Sequence, residues 1–221
     1  MSEGNSIEIS VAGGVLEGDL VVPSGASGIV VFAHGSGSSR YSPRNQFVAE
    51  QLRKAGLGTL LMDLLTPAEE SVDVYTSEHR FDIPMLASRV VLATDWLRDQ
   101  PNYSGLKVGY FGASTGAAAA LVAATERSNV AAVVSRGGRP DLAGNRLHRV
   151  TAPTMLIVGG NDTEVITLNR NANELLTCEK RLEIVPGASH LFEEPGKLET
   201  VAQLAREWFL RFLGSQKRQA A

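Results

Sequence analysis

A succession of short runs that are apolar almost throughout most constrains how this chain can fold: residues 28–33, 57–62, 108–111, 130–134, 155–158 and, more weakly, 182–185. A strand with one wet face alternates apolar and polar residues. A strand covered on both faces need not, so runs of this kind suit the parallel interior of an α/β sheet. Helical patterns separate them, most clearly at the end, where Val201, Leu204, Ala205, Trp208 and Phe212 share one helical face. Before Pro23 the pattern differs. Ile7, Ile9 and Val11 alternate with polar residues, Gly13-Gly14 turns the chain, and residues 15–22 form a second strand, which predicts an N-terminal antiparallel hairpin. A hairpin followed by alternating β and α units predicts a mostly parallel sheet of about eight strands with helices on both faces. No repeat or low-complexity linker divides the chain, so one domain over residues 1–221 is expected, with its core at about residues 7–213.

Composition narrows the function classes. A chain of 221 residues with 43% hydrophobic and 20% charged residues reads as soluble and globular. Cys178 is the only cysteine, so no internal disulfide can form. The net charge of −3 argues against a phosphate-binding surface, and no nucleic-acid partner is expected. Gln216, Lys217, Arg218 and Gln219 read as a frayed tail. No run of roughly 18 apolar residues exists to span a membrane. Residues 1–6 lack a basic segment followed by an apolar run, so no secretory signal and a cytoplasmic location are expected.

Three positions carry chemistry. Gly112-Ala-Ser-Thr-Gly116 lies between a strand and an alanine-rich helix, so Ser114 sits on a sharp strand-to-helix turn. Taken alone the motif also fits a glycine-rich helix cap. Asp162 follows an apolar strand and two glycines, where an acid can simply cap the next helix. His190 follows a strand and a Pro-Gly turn, where a lone histidine is usually a surface residue. Together they change meaning. All three fall just past the C-terminal ends of predicted parallel strands, the edge where open α/β sheets form active sites. Their order, Ser, Asp, His, is that of α/β-hydrolases. A serine hydroxyl needs an imidazole to take its proton, and the imidazole needs a carboxylate to hold its tautomer. The glycine-rich loop His34-Gly-Ser-Gly-Ser-Ser39 follows the first parallel strand, where the backbone N–H of Ser36 is expected to form an oxyanion hole with that of Thr115. A phosphate loop would need a G-K-[ST] ending that is missing.

The remaining candidates read as follows. His34 is structural, His79 and His148 are surface residues, Asp63 shapes a loop, and Cys178 is a bystander at a helix end. No His, Cys or acidic spacing suits a metal, so no metal is expected. Arg136 directly follows the strand ending at Ser135 and is a substrate-binding candidate; pairing with Asp141 is its structural alternative. Arg40, in the oxyanion loop, is a second candidate, with a solvated loop residue as the alternative.

The oxyanion loop from His34, the elbow at Ser114, Gly159-Gly-Asn-Asp162 and Gly187-Ala-Ser-His190 together resemble a small bacterial α/β-hydrolase of the dienelactone hydrolase type. Ser135-Arg-Gly-Gly-Arg-Pro140 and His190-Leu-Phe-Glu-Glu-Pro195 are similar to stretches in stand-alone and phosphoribosyltransferase-linked members of that group. The resemblance covers about residues 7–213. It implies cofactor-free hydrolysis of esters or lactones, and a homodimer or a phosphoribosyltransferase as the assembly. Dienelactone hydrolase itself uses a cysteine where this chain has Ser114, so an esterase or carboxylesterase is the expected activity. An acyltransferase or perhydrolase on the same fold, and a non-catalytic binding homologue, are the alternatives. Residues 135–153 leave no room for a large lid, so short acyl esters are the expected substrates.

Overall fold

The computed structural model describes residues 4–214, so the basic tail at residues 216–219 lies outside the described residues. Eight strands form one sheet in the order β1-β2-β4-β3-β5-β6-β7-β8. The hairpin is β1 (Asn5–Val11) and β2 (Gly14–Val21), and β2 pairs antiparallel with β4 (Gly58–Met62). From β4 onward every pairing is parallel, through β3 (Gly28–Ala33), β5 (Lys107–Ala113), β6 (Val130–Arg136), β7 (Thr154–Gly159) and β8 (Lys180–Val185). The central strands β3, β4 and β7 are buried along their whole length, which is why their sequences do not alternate.

The apolar residues still divide by face. Ile29 and Val31 of β3 face the layer formed by α3 (Ile83–Asp99) and α4 (Thr115–Glu126), which α5 (Thr163–Leu175) continues over β7 and β8. Val30 and Phe32 pack with α1 (Pro43–Lys54) and α6 (Lys197–Leu213). The stripe on α6 is wider than its spacing predicts, because Phe209 and Leu213 are also fully buried. Between β6 and β7 lies a 3₁₀ segment, Pro140–Arg149, kinked at Gly144, in place of a cap domain. A further helix, α2 (Pro67–Thr76), begins at a capping box of Thr66 and Glu69. Its buried Asp73 accepts from the backbone of His79 and from Arg80 Nε at 2.6 Å, which ties down the chain leading to α3. No helix among the described residues is long and apolar enough to cross a membrane.

Candidate active site

Ser114 is the single residue between β5 and α4, and its backbone is left-handed (φ 49°, ψ −121°). A side-chain-bearing residue adopts such a conformation only when its neighbours hold it there. Here the Ser114 N–H donates to the Arg136 carbonyl at 3.2 Å, and its own carbonyl accepts from Arg139 N at 3.0 Å and Ala117 N at 3.1 Å. Gly116 makes the turn possible from below. A Cβ there would come within 2.2 Å of the Ala33 carbonyl oxygen, so α4 starts in direct backbone contact with the end of β3. The first turn of α4 carries no acidic residue and its N-terminus has no side-chain cap. Its unpaired amides and dipole therefore face Ser114 with positive potential.

Asp162 occupies the N-cap position of α5 without making a cap hydrogen bond. Its carboxylate bonds instead to His190, Oδ2 to Nδ1 at 2.6 Å. A carboxylate only accepts, so Nδ1 carries the proton and Nε2 is the nitrogen left to act as base. The two loops meet backbone to backbone. A Cβ on Gly159 would lie 2.4 Å from the Ser189 carbonyl oxygen, and Asn161 N donates to Ala188 O at 2.9 Å. Glu194 closes the histidine loop by accepting the Ser189 N–H at 3.0 and 3.1 Å. That backbone bond holds the Glu194 carboxyl below its ordinary range.

Ser114 and His190 share a cavity of about 240 Å³ with Ser36 and Ser38 of the β3 loop, Arg44 and Asn45 of α1, and Arg136. Among the described residues no hydrogen bond joins the Ser114 hydroxyl to His190; in free enzymes such contacts often tighten only with substrate. Arg136 is 6% exposed. Its Nη2 donates to Asn45 Oδ1 at 3.1 Å, its Nε has no partner, and among the described residues no carboxylate pairs with it. Burial, and then the charge of Arg44, push it down to about 10. The acid proposed as its alternative partner, Asp141, is taken by Arg139 at 2.8 and 2.9 Å.

Arg40 is placed differently. It lines a neighbouring cavity of about 170 Å³ and is bound by Asp63 and Glu17, with Asp19 at 3.6 Å. Burial works to lower its pKa, but Asp63 and Glu17 outweigh it and hold the guanidinium above its ordinary value. Asp63 also accepts the Arg40 backbone N–H at 2.7 Å. His34 is buried and committed on both nitrogens, Nδ1 to the Gly35 carbonyl at 2.9 Å and Nε2 accepting from Leu64 N at 3.0 Å; burial lowers its pKa. The Ser36 N–H, expected to point at an oxyanion, donates to Thr115 Oγ1 at 2.9 Å. His79 and His148 lie outside the cavity. Cys178 sits in a bend after α5, not at a helix end, because α5 stops at Leu175; burial raises its thiol.

Arg44 and Asn45 were not among the sequence candidates. Their signal was Ser42-Pro43, a capping serine and an N1 proline that start α1 just after the oxyanion loop, so its first turn faces the site. Among the described residues no group of His, Cys, Asp or Glu is arranged to hold a metal.

A mostly parallel sheet of this order, with its polar cavity at the carboxyl edge, is the architecture of an α/β-hydrolase. The chain belongs to the dienelactone hydrolase family, whose model matches residues 16–215. It is 62% identical to a dienelactone hydrolase of Anabaena variabilis, with a TM-score of 0.93 over 96% of this chain and 98% of that one. It is 59% identical, over 92% of its length, to a Mycobacterium tuberculosis protein provisionally named a phosphoribosyl transferase. The match takes in 45% of that protein, so the chain spans about half the length of this curated relative. A serine hydrolase without lid from Xanthomonas campestris shares the fold at 20% identity, with a TM-score of 0.78 over 98% of each chain.

Proposed function

We propose that this protein hydrolyses carboxylic esters of short, polar acyl groups, or lactones, through an acyl-enzyme on Ser114. The observation that carries the reading is the 2.6 Å bond between Asp162 and His190 at the cavity onto which the strained Ser114 opens. Ser114 Oγ attacks the ester carbonyl while His190 Nε2 takes its proton, and Asp162 stabilises the imidazolium. The amides at the start of α4 are the candidate donors to the oxyanion, and the Ser36 N–H, which donates to Thr115 Oγ1 in the free protein, would join them by releasing that bond. Collapse expels the alcohol with the proton from His190. Water then repeats the sequence and releases the acid.

The cavity wall also supports a reading of substrate charge. Arg136 is buried beside Ser114 without a carboxylate, so an anionic group on the substrate would supply its missing partner. Arg40, already bound by acids, does not carry that reading. A phosphoribosyltransferase is proposed as a partner from the length of the M. tuberculosis relative, and a pull-down tests it.

The test of function is labelling by a fluorophosphonate probe together with hydrolysis of an aryl acetate. Wild type should be labelled at Ser114 and active, and Ser114→Ala should be neither. An unlabelled, inactive wild type would leave a non-catalytic binding role. A product ester formed in added alcohol, or a peracid formed in peroxide, would favour acyl transfer over hydrolysis.

A further inference from the structure

Two arginines line the cavity of Ser114 and His190: Arg136 at the end of β6, and Arg44 in the first turn of α1. They are near enough that the charge of Arg44 adds to burial in lowering the pKa of Arg136. Asn45, the next residue of α1, accepts from Arg136 Nη2 at 3.1 Å and sets that guanidinium against the helix start. The α1 N-terminus adds to the same field, because its first turn holds no acid and its cap, Ser42, also lines the cavity. Among the described residues, the Nε atoms of both arginines are buried without a hydrogen-bond partner. One carboxylate answers this positive charge. Arg44 Nη1 donates to Glu193 Oε1 at 3.0 Å, a bridge from α1 to the histidine loop. Glu193 does not line the cavity, and its side chain is 62% exposed against 31% for that of Arg44. An ion pair so open to water is weak, so an anion inside the cavity can displace it. Glu194 is committed differently. It accepts the Ser189 backbone N–H, which keeps the histidine loop in shape when Glu193 lets go.

We propose that Arg44 determines specificity: it binds the carboxylate of an anionic substrate together with Arg136, and Glu193 is the counter-ion it exchanges for that carboxylate. The inference rests on ester hydrolysis at Ser114 with substrate charge read by Arg136, and adds to it a second arginine and a competitor built into the chain. The exchange replaces a pairing in water by one inside the cavity, where one carboxylate meets two guanidiniums and fewer waters compete. It also relieves the repulsion between the two arginines, since the bound anion lies against both. Removing the Glu193 carboxylate therefore favours the anionic substrate. Loss of a salt bridge that only braced the histidine loop would instead slow every substrate.

The experiment compares wild type, Glu193→Gln, Arg44→Gln, Arg44→Lys and the double variant of Arg44→Gln with Glu193→Gln. Each is assayed on a neutral short aryl ester and on its carboxylate-bearing analogue, with thermal unfolding as the check on folding. The readout is the ratio of kcat/KM on the anionic ester to that on the neutral one. Glu193→Gln should raise the ratio about threefold, chiefly through a lower KM for the anionic ester. Arg44→Gln should lower it about tenfold, and Arg44→Lys, which keeps the charge but not the fork, should recover part of the loss. In the double variant the Glu193 change should add nothing to Arg44→Gln, because the competitor has no arginine left to hold. A ratio unchanged or lowered in Glu193→Gln overturns the proposal, and this arm decides alone if Arg44→Gln does not fold. Equal losses on both esters in Arg44→Gln also overturn it. If Arg136→Met lowers the ratio and Arg44→Gln does not, the charge reading at Arg136 stands and the role of Arg44 falls. A wild type neither active nor labelled at Ser114 would overturn the ester-hydrolase reading, and this inference with it.

Discussion

Two arginines lie beside the loop after β3, and the fold treats their charges in opposite ways. Arg40 is surrounded by acids: Asp63 and Glu17 bind its guanidinium, and Asp63 also takes its backbone N–H. Arg136 is more deeply buried, shares its cavity with Ser114 and His190, and has a neutral amide, Asn45, in place of an acid. A buried guanidinium with no counter-ion opposes folding, and a chain seeking only stability gains by losing it. One set of contacts thus builds a loop, and the other leaves a charge uncompensated at the place where a ligand can complete it.

The proposed triad sets the largest effect against which both arginines are measured. Ser114→Ala, Asp162→Asn and His190→Ala should each lower turnover of an aryl acetate by about 10³-fold or more with folding retained, read from steady-state rates and unfolding temperature. A Ser114→Ala rate near wild type would show that the cavity is not where the chemistry happens, and the contrast between the arginines would lose its functional meaning.

Next comes substrate charge, which separates the two residues directly. On a carboxylate-bearing ester, Arg136→Met should lose roughly 1.5–3 kcal/mol of transition-state binding in kcat/KM, about 10- to 100-fold, with little change on the neutral isostere. Arg40→Met should not distinguish the two substrates. Equal losses on both esters in Arg136→Met would make Arg136 another structural arginine. Acyl size gives a smaller effect. The cavity wall is mostly polar, with Arg44, Asn45, Arg136 and serines, so a long alkyl chain finds little apolar surface. A C4 ester should turn over about tenfold faster than a C16 ester, and the reverse order would mean that the polar wall does not contact the acyl group.

Much of this was legible in the sequence, and the limits have a physical cause. Strand interiors announce themselves because burial on both faces removes alternation, as at Val30, Val31 and Phe32. Ser114, Asp162 and His190 were recognisable because each lies within five residues of the C-terminal end of a strand. What the pattern could not carry is pairing between distant side chains. Arg136 reaches Asn45 across 91 residues, and Arg139, not Arg136, takes Asp141. Neither choice follows from periodicity, because both depend on which way a side chain leaves the end of its element. The Ser36–Thr115 bond was hidden for the same reason: both residues were identified, as backbone donors, while the contact runs through a hydroxyl.

The smallest predicted effect concerns stability, and its pH dependence tests the contrast without any substrate. At pH 7, Arg136→Met should raise Tm by about 3 °C, because it removes a buried charge that has no counter-ion while roughly keeping volume. Arg40→Met should lower Tm by a similar amount, because it strands acids that now share a cation. Folding pushes Arg136 down from its ordinary value to about 10, so the unfolded chain holds this proton more tightly. Below about pH 10 both states are charged and the penalty is constant. Above about pH 10 the unfolded state binds more protons, so wild type gains stability relative to Arg136→Met as pH rises. The Tm advantage of the variant should therefore be flat from pH 6 to 9 and shrink above pH 10. Arg40 is raised by folding, so its contribution is fully present below its unfolded value and is lost only as pH climbs through the higher folded one. The deficit of Arg40→Met should accordingly stay constant over the same range. Differential scanning fluorimetry of the three proteins at matched ionic strength reads all of this. A lower Tm for Arg136→Met at pH 7 would mean that packing and the Asn45 bond outweigh the buried charge, and that Arg136 is held by the fold as firmly as Arg40.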